Sequence, residues 1–370
     1  MKKDISSRMV SSHRLIYLDS LRALAALTVM GSHYIERTPL LSWVVFDYFR
    51  PGQFGVVVFF MVSGFVIPFS FKDYPGKNRR FMISRFFRLY PAYWLSVILA
   101  CFAIVFFISG ELEESRVLAN ITMFQAVLGY ANLFGVYWTL FVELVFYGLC
   151  IALSLVGMLG CVKTRFWLAI SLLLLALTGA AARHYYSVSA PVGILSSLSL
   201  MLFGGIWRNY QIDRNPSGKK YSVIWIAMFV TTFPIIALLA YDIDQGLQES
   251  AWNFTGSYFA ALAFFVMATT VLKLESRVLA FLGTISYSVY LIHPFFLELA
   301  DSKVHLQNGF NAPVFVIYCL STLVFSSLCY FLIEKRSIRL GQHINAILDA
   351  RLTNSKAAGA AKASSIEAGV

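Results

Sequence analysis

Charge is what this 370-residue chain has least of. Asp, Glu, Lys and Arg make up 13% of it, where a soluble domain carries about 25%. Apolar residues reach 58% and aromatic residues 16%, and the mean hydropathy is +0.70. Spans of about 20 residues use up most of such a chain, which excludes a large soluble domain. Cysteine is scarce too. Cys101, Cys150, Cys161, Cys319 and Cys329 mostly lie in or beside apolar runs, at no metal-ligand spacing. They read as small apolar residues and exclude a disulfide framework or a zinc site. There is no Gly-rich nucleotide loop, HExxH pair or GxSxG elbow, so no soluble catalytic motif supports carrier chemistry. No internal repeat stands out, which weakens an inverted-repeat transporter.

What is present is a series of apolar runs, near 15–34, 53–71, 89–108, 136–158, 166–182, 191–207, 221–240, 254–272, 278–297 and 313–333. They predict an all-α, polytopic membrane protein with about ten transmembrane helices. The stretch 117–134, interrupted by Asn120, Gln125, Gly129 and Asn132, reads as a re-entrant or interfacial piece. The net charge of +11 does not point to nucleic acid, because the basic residues fall in short loops between apolar runs. With the N-terminus inside, the inner segments hold 24 of the 30 Lys and Arg. That bias predicts that both termini are cytoplasmic. The expected organisation is a basic leader over 1–14 with no cleavable signal, a membrane domain over 15–340, and a low-complexity cytoplasmic tail over 341–370.

The first span, YLDSLRALAALTVMGSHY, carries Asp19, Arg22 and His33. Arg22 and His33 are about three turns apart, roughly 16 Å, at nearly the same angle around the helix. Ionisable groups at membrane depth are costly and mark function by default. The alternative is an i,i+3 pair of Asp19 with Arg22, and His33 at the water interface. In the second span Gly55, Ser63 and Gly64 form a narrow seam suited to close helix packing, and Ser63–Gly64 before Pro68 suits a pocket. Arg85 and Arg88 lie one turn apart near Pro91, where a helix is expected to start or bend. Two guanidiniums so spaced suit phosphate, of a substrate or of a lipid headgroup. Glu143 in the fourth span has no basic partner in its own helix and shares a face with Tyr147, while Trp138 and Tyr137 suit the outer interface belt. In the ninth span Ser286, Tyr287, Tyr290 and His293 recur at helical spacing. Glu334, among Lys335, Arg336 and Arg339, reads as part of an interfacial ion-pair cluster.

Six of these stretches, in order, resemble the bacterial acyltransferase 3 family of membrane O-acyltransferases. They are LDSLRALAALTVMGSHY, FGVVVFFMVSGFVI, SRFFRLYPAYW, YWTLFVELVFY, ISYSVYLIHPF and FLIEK. The family's Arg and His, separated by ten residues, fall on Arg22 and His33. Its basic pair falls on Arg85 and Arg88, its acidic residue on Glu143, and its SGF element on Ser63, Gly64 and Phe65. Arg336 stands where many members have Pro. The resemblance implies acyl transfer, by default acetyl from acetyl-CoA, to a hydroxyl of a surface or secreted glycan or glycolipid such as an O-antigen, lipopolysaccharide or exopolysaccharide. The implied location is the bacterial inner membrane, with acyl-CoA as co-substrate, no bound cofactor and no metal. The expected catalytic pair is His33 and Arg22. Arg85, Arg88, Ser63 and Gly64 are expected to bind the donor. Asp19, Trp138, Glu143, Tyr147, Tyr287 and His293 are expected to line the acceptor side. A transporter or flippase for a glycan or small molecule is the other reading, and oligomeric state is not legible.

Overall fold

A computed structural model describes residues 15–43, 45–71, 76–108, 110–241 and 250–350. The leader 1–14 and the segment 351–370 of the expected tail lie outside the described residues. Within them every regular element is helical and no strand occurs. This is a polytopic, all-α membrane protein.

Among the described residues, eight helical stretches are long and apolar enough to cross a bilayer: Val45–Ser70, Lys77–Ile108, Tyr137–Leu155, Val162–Tyr186, Pro216–Tyr241, Ala251–Leu272, Arg277–Val304 and Ala312–Ala350. Two of the ten expected spans, α1 (Ile16–Ile35) and α8 (Val192–Gln211), fall short of that apolarity. The reason is their position. In α1, 12 of 20 residues are buried, and in α8, 14 of 20. A helix enclosed by other helices does not have to be apolar all round, so α1 can carry Asp19 and Arg22, and both helices can carry several serines.

The helix α3 (Pro51–Val66) sits between these two, packed on both. Its crossing with α8 is backbone on backbone. A Cβ added at Gly64 would lie 2.7 Å from the Met201 Cα and closer still to its carbonyl oxygen. From the other side, a Cβ at Gly204 would lie 2.9 Å from the Phe65 nitrogen. Small residues permit such an approach, and dispersion over the shared surface holds it.

The helix α4 (Lys77–Ala103) continues through a wide turn to Ile108. Pro91 lies inside it, so of the start or bend expected there the start is excluded: the helix begins 14 residues earlier, after Gly76. Beyond it the short α5 (Glu114–Ile121) leads into irregular chain before α6 (Tyr137–Leu155). The stretch 117–134 therefore makes no span. Its backbone is satisfied by side chains: Tyr90, Tyr93 and Trp94 of α4 donate to the carbonyls of Thr122, Asn120 and Ile121 at 2.9, 2.5 and 3.1 Å. Asn120 donates to Ala131 O at 3.0 Å and accepts from Leu133 N–H at 3.1 Å. Irregular backbone among apolar helices requires this. Tyr137 is buried against Ser96 at 2.8 Å instead of lying in an interface belt.

The expected ninth span is two helices, α11 (Arg277–Thr284) and α12 (Ser286–Val304), jointed at Ile285. The joint forms where Gly283 rests on the Asp19 backbone, with room for no side chain. The last span, α13 (Ala312–Cys329), runs on through a wide turn, Tyr330–Glu334, and stays helical to Ala350. That extension lies along α4, where Asn345 donates to Ser84 at 3.1 Å and Asp349 pairs with Arg79 at 2.8 Å and with Arg80.

Candidate active site

Helices α1, α3, α4, α6 and α12 meet around one cavity. Its empty space is about 720 Å³, counted out to where it opens. From α1 comes Arg22, from α3 Ser63 with Phe59 and Phe60, from α4 Arg85 and Arg88, from α6 Thr139 and Glu143, and from α12 Ser286, Tyr287 and Tyr290. Arg22, Ser63, Arg85, Arg88, Glu143 and Tyr287 are each half-buried, although several of their helical neighbours are fully buried. The polar groups thus face the cavity and not the packed seams.

Local sequence places each group. Arg85 and Arg88 follow one another by a single turn of α4, and the ring faces of Phe81 and Tyr147 lie under the Arg85 guanidinium at 5.3 and 5.5 Å. Its Nη2 reaches Ser70 Oγ at 3.4 Å. On α6, Thr139, Glu143 and Tyr147 recur every four residues, and the Tyr147 hydroxyl donates to Glu143 at 2.5 Å. On α12, Tyr287 donates to Leu89 O at 2.9 Å, and Tyr290 lies 2.8 Å from Thr139 Oγ1. Three guanidiniums therefore line one cavity with Glu143. The charges of Arg88, Asp19, Glu143 and Arg85 all act on Arg22.

A further acidic group belongs here. Glu334 is 1% exposed and accepts from Ser288 at 3.1 Å. Among carboxylates it acts most strongly on Arg88, ahead of Glu143. This corrects the interfacial cluster expected from the sequence. Glu334 is the buried residue of the wide turn Tyr330–Glu334, and Arg336 and Arg339 follow it in the chain.

His33 does not line the cavity. It lies in the last turn of α1, with Nδ1 2.9 Å from Nε2 of His293 on α12. His293 is fully buried, and its Nδ1 lies 3.1 Å from Val289 O. Tyr290 lines the cavity and meets the His293 ring edge-on at 5.9 Å, so it joins the histidine pair to the arginine wall. Beyond His33 the chain opens into a polar cleft with Glu36, Arg37 and Asp301, where Arg37 bonds Glu298 at 2.9 Å and Asp301 at 3.0 Å.

The acyltransferase domain family model matches residues 15–331. This chain belongs to the acyltransferase 3 family. Among curated proteins it is similar to the peptidoglycan O-acetyltransferase YrhL of Bacillus subtilis, a provisional name, at 27% identity over 87% of this chain and 55% of the relative. A Staphylococcus aureus protein provisionally named an O-acetyltransferase is 24% identical over 86% of this chain and 56% of its own length. An Acidianus two-tailed virus protein provisionally named an acetyltransferase is 24% identical over 75% of this chain and 82% of its own length. The chain spans little more than half the length of the first two. No solved structure matches it.

In this acyltransferase 3 chain, the structure brings together Arg22, Ser63, Arg85, Arg88, Glu143 and Tyr287 in the cavity, with Tyr147 bonded behind Glu143. It brings His33 and His293 together beside it. Gly64 lies on the α8 backbone, Asp19 is buried one turn below Arg22, and Trp138 packs edge-on against Phe60 at 6.0 Å; none of the three lines the cavity. Of the polar groups, Thr139, which lines the cavity, and the buried Glu334 near it are not expected there from the sequence. A hydroxyl four residues before Glu143, on the same helical face, is the signal that points to Thr139.

Proposed function

We propose that this chain is a membrane O-acyltransferase that moves a short acyl group, by default acetyl, from acyl-CoA to a hydroxyl of a cell-surface or secreted polysaccharide or glycolipid. The observation that carries the reading is the cavity lined by three arginines, whose Tyr290 packs against one member of a histidine pair. Arg85 and Arg88 hold the CoA phosphates, since guanidinium binds phosphate through paired hydrogen bonds. Arg22 lines the same cavity and orients the donor there. Glu143, with Tyr147 behind it, and Tyr287 complete the polar wall.

His33 acts as the general base. The acceptor hydroxyl gives its proton to the imidazole as its oxygen bonds to the acyl carbon. The carbon–sulfur bond then breaks, and the imidazolium returns the proton to the CoA thiolate. Such a base contributes about 10²–10⁴-fold in rate. The roughly 16 Å of α1 between Arg22 and His33 matches a donor entering from one side and an acceptor from the other. The excess of Lys and Arg in alternate loops supports both termini in the cytoplasm and a site in the bacterial inner membrane. The name of the Bacillus subtilis relative adds peptidoglycan to the acceptors worth testing.

The test uses purified protein in nanodiscs with acetyl-CoA and a mixed acceptor of polysaccharide, lipopolysaccharide and peptidoglycan fragments. Free thiol and acetylated glycan should appear together, and His33→Ala should abolish both. Movement of a glycan across the membrane without a gain in mass would replace this reading with transport.

A further inference from the structure

His293 has no part in the steps above, and its surroundings give it one. We propose that His293 is a positioning residue that fixes the tautomer of His33, so that Nε2 of His33 is the ring nitrogen that takes the acceptor's proton. The tautomer follows from hydrogen bonding alone; the proton transfer rests on the proposed function.

The Val289 carbonyl oxygen has no proton to give. His293 Nδ1, 3.1 Å away, must carry the hydrogen of that bond. A neutral imidazole has one N–H, so Nε2 of His293 is left with its lone pair. That nitrogen lies 2.9 Å from Nδ1 of His33. Two lone pairs repel, so His33 Nδ1 carries the hydrogen and donates it. Nε2 of His33, on the far side of its ring from His293, is then the bare nitrogen. The hydrogen bond at one ring nitrogen sets the protonation of the other.

This arrangement requires a neutral His293, and its site provides for that. The residue is fully buried, and its ring nitrogens meet a carbonyl oxygen and another imidazole. A buried cation there would lack a carboxylate within hydrogen-bond reach among the described residues. The charged groups around the pair are engaged elsewhere. Just past the end of α1, Glu36 accepts from Ser32 at 2.6 Å, and Arg37 is held by Glu298 and Asp301 of α12. Tyr290 of α12 bonds Thr139, Tyr318 of α13 donates to Met30 O at 2.9 Å, and α3 contributes no ionisable side chain.

During transfer the acceptor proton arrives at His33 Nε2 and leaves from it to the thiolate. The Nδ1–H stays on His33 and keeps pointing at His293. His293 gains and loses nothing; it holds the ring in orientation and accepts the hydrogen bond that the imidazolium strengthens.

The test has one readout that requires no activity. Full-length protein with 15N-labelled histidine is placed in nanodiscs, and ring nitrogen shifts are assigned with His33→Gln and His293→Gln. His33 should show Nδ1–H with bare Nε2, and scalar coupling across the hydrogen bond to His293. His293→Phe, which fills the space without an acceptor, should release His33 to the Nε2–H tautomer and lower kcat by about 10³-fold or more. Its affinity for acetyl-CoA should not change. His293→Gln, whose amide oxygen accepts from Nδ1–H, should keep the tautomer and stay within about tenfold of wild type. An Nε2–H tautomer in wild type overturns the proposal, as does full turnover in His293→Phe. Should the Phe variant not fold, the wild-type spectrum and the Gln variant decide. An Nδ1–H tautomer without acyl transfer to any acceptor would keep the histidine pair and remove the proposed function.

Discussion

Substituting Gly64 by alanine should separate a packing role from a donor-binding one. The added Cβ would stand 2.7 Å from the Met201 Cα. Carbon atoms in contact settle at about 3.5–4.0 Å, and the Met201 carbonyl oxygen is nearer the added Cβ than its Cα is, so α3 and α8 must part by more than about 1 Å. The obstacle is backbone, which has no rotamer to escape into. Overpacking of this kind costs about 1–3 kcal/mol, and more where nothing gives. Ser63, Phe59 and Phe60 ride on the same helix and line the cavity with Arg22. A misplacement of about 1 Å there is worth about 10²-fold in rate. The assay is thermal unfolding followed by fluorescence-detected size exclusion in detergent, with thiol release measured on the surviving fraction. Gly64→Ala and Gly204→Ala should both lower the unfolding temperature and the specific activity. Gly148→Ala is the control, since nothing lies within 4 Å of its added Cβ and it sits in α6. It should be neutral or stabilising by up to about 1 kcal/mol. Wild-type stability and activity in Gly64→Ala would refute the backbone contact at this crossing.

Arg85→Ala and Arg88→Ala should each weaken acetyl-CoA binding by about 10-fold or more, measured by calorimetry, because each removes charge-assisted hydrogen bonds worth about 1.5–3 kcal/mol. Unchanged affinity in both would end the phosphate clamp. Arg88→Met with Glu334→Gln should be less unstable than the sum of the two single changes, by about 1–3 kcal/mol, since Arg88 compensates a buried carboxylate; additivity in unfolding experiments would deny the coupling. The exposed Cys161 caps α7 (Val162–Tyr186), and the Thr164 side chain and nearby backbone N–H groups lower its thiol below the usual value. A membrane-impermeant maleimide should label it faster than the buried Cys150 and Cys329, and only from the cytoplasmic face if the loop-charge orientation is right.

Much of the polar cavity is legible in the sequence. Arg22, Arg85, Arg88 and Glu143 stand out because charge inside an apolar run is expensive, and the fold gathers them at one cavity. Glu334 is not legible in the same way. It sits among basic residues at the end of a span, and only the packed structure shows it buried in the wide turn before Lys335. The break at Ile285 is hidden for a similar reason. Beside it Gly283 meets the Asp19 backbone, from a segment far away in the chain.

The helical, membrane-spanning character of the chain, the polar stripe of α1 and the family motifs all reside in the amino-acid order. Hydropathy, helical period and spacing are properties of one segment, and each segment carries them whatever lies beside it. Which faces meet is settled only by the packed helices. The bond between His33 and His293 joins residues 260 positions apart. The Gly64 and Gly204 crossing and the burial of Glu334 likewise depend on partners from distant segments. In lipid, apolar helices have no hydrophobic reason to prefer one neighbour over another. Close backbone approach and hydrogen bonds between polar groups make that choice, and these exist only once the helices are side by side.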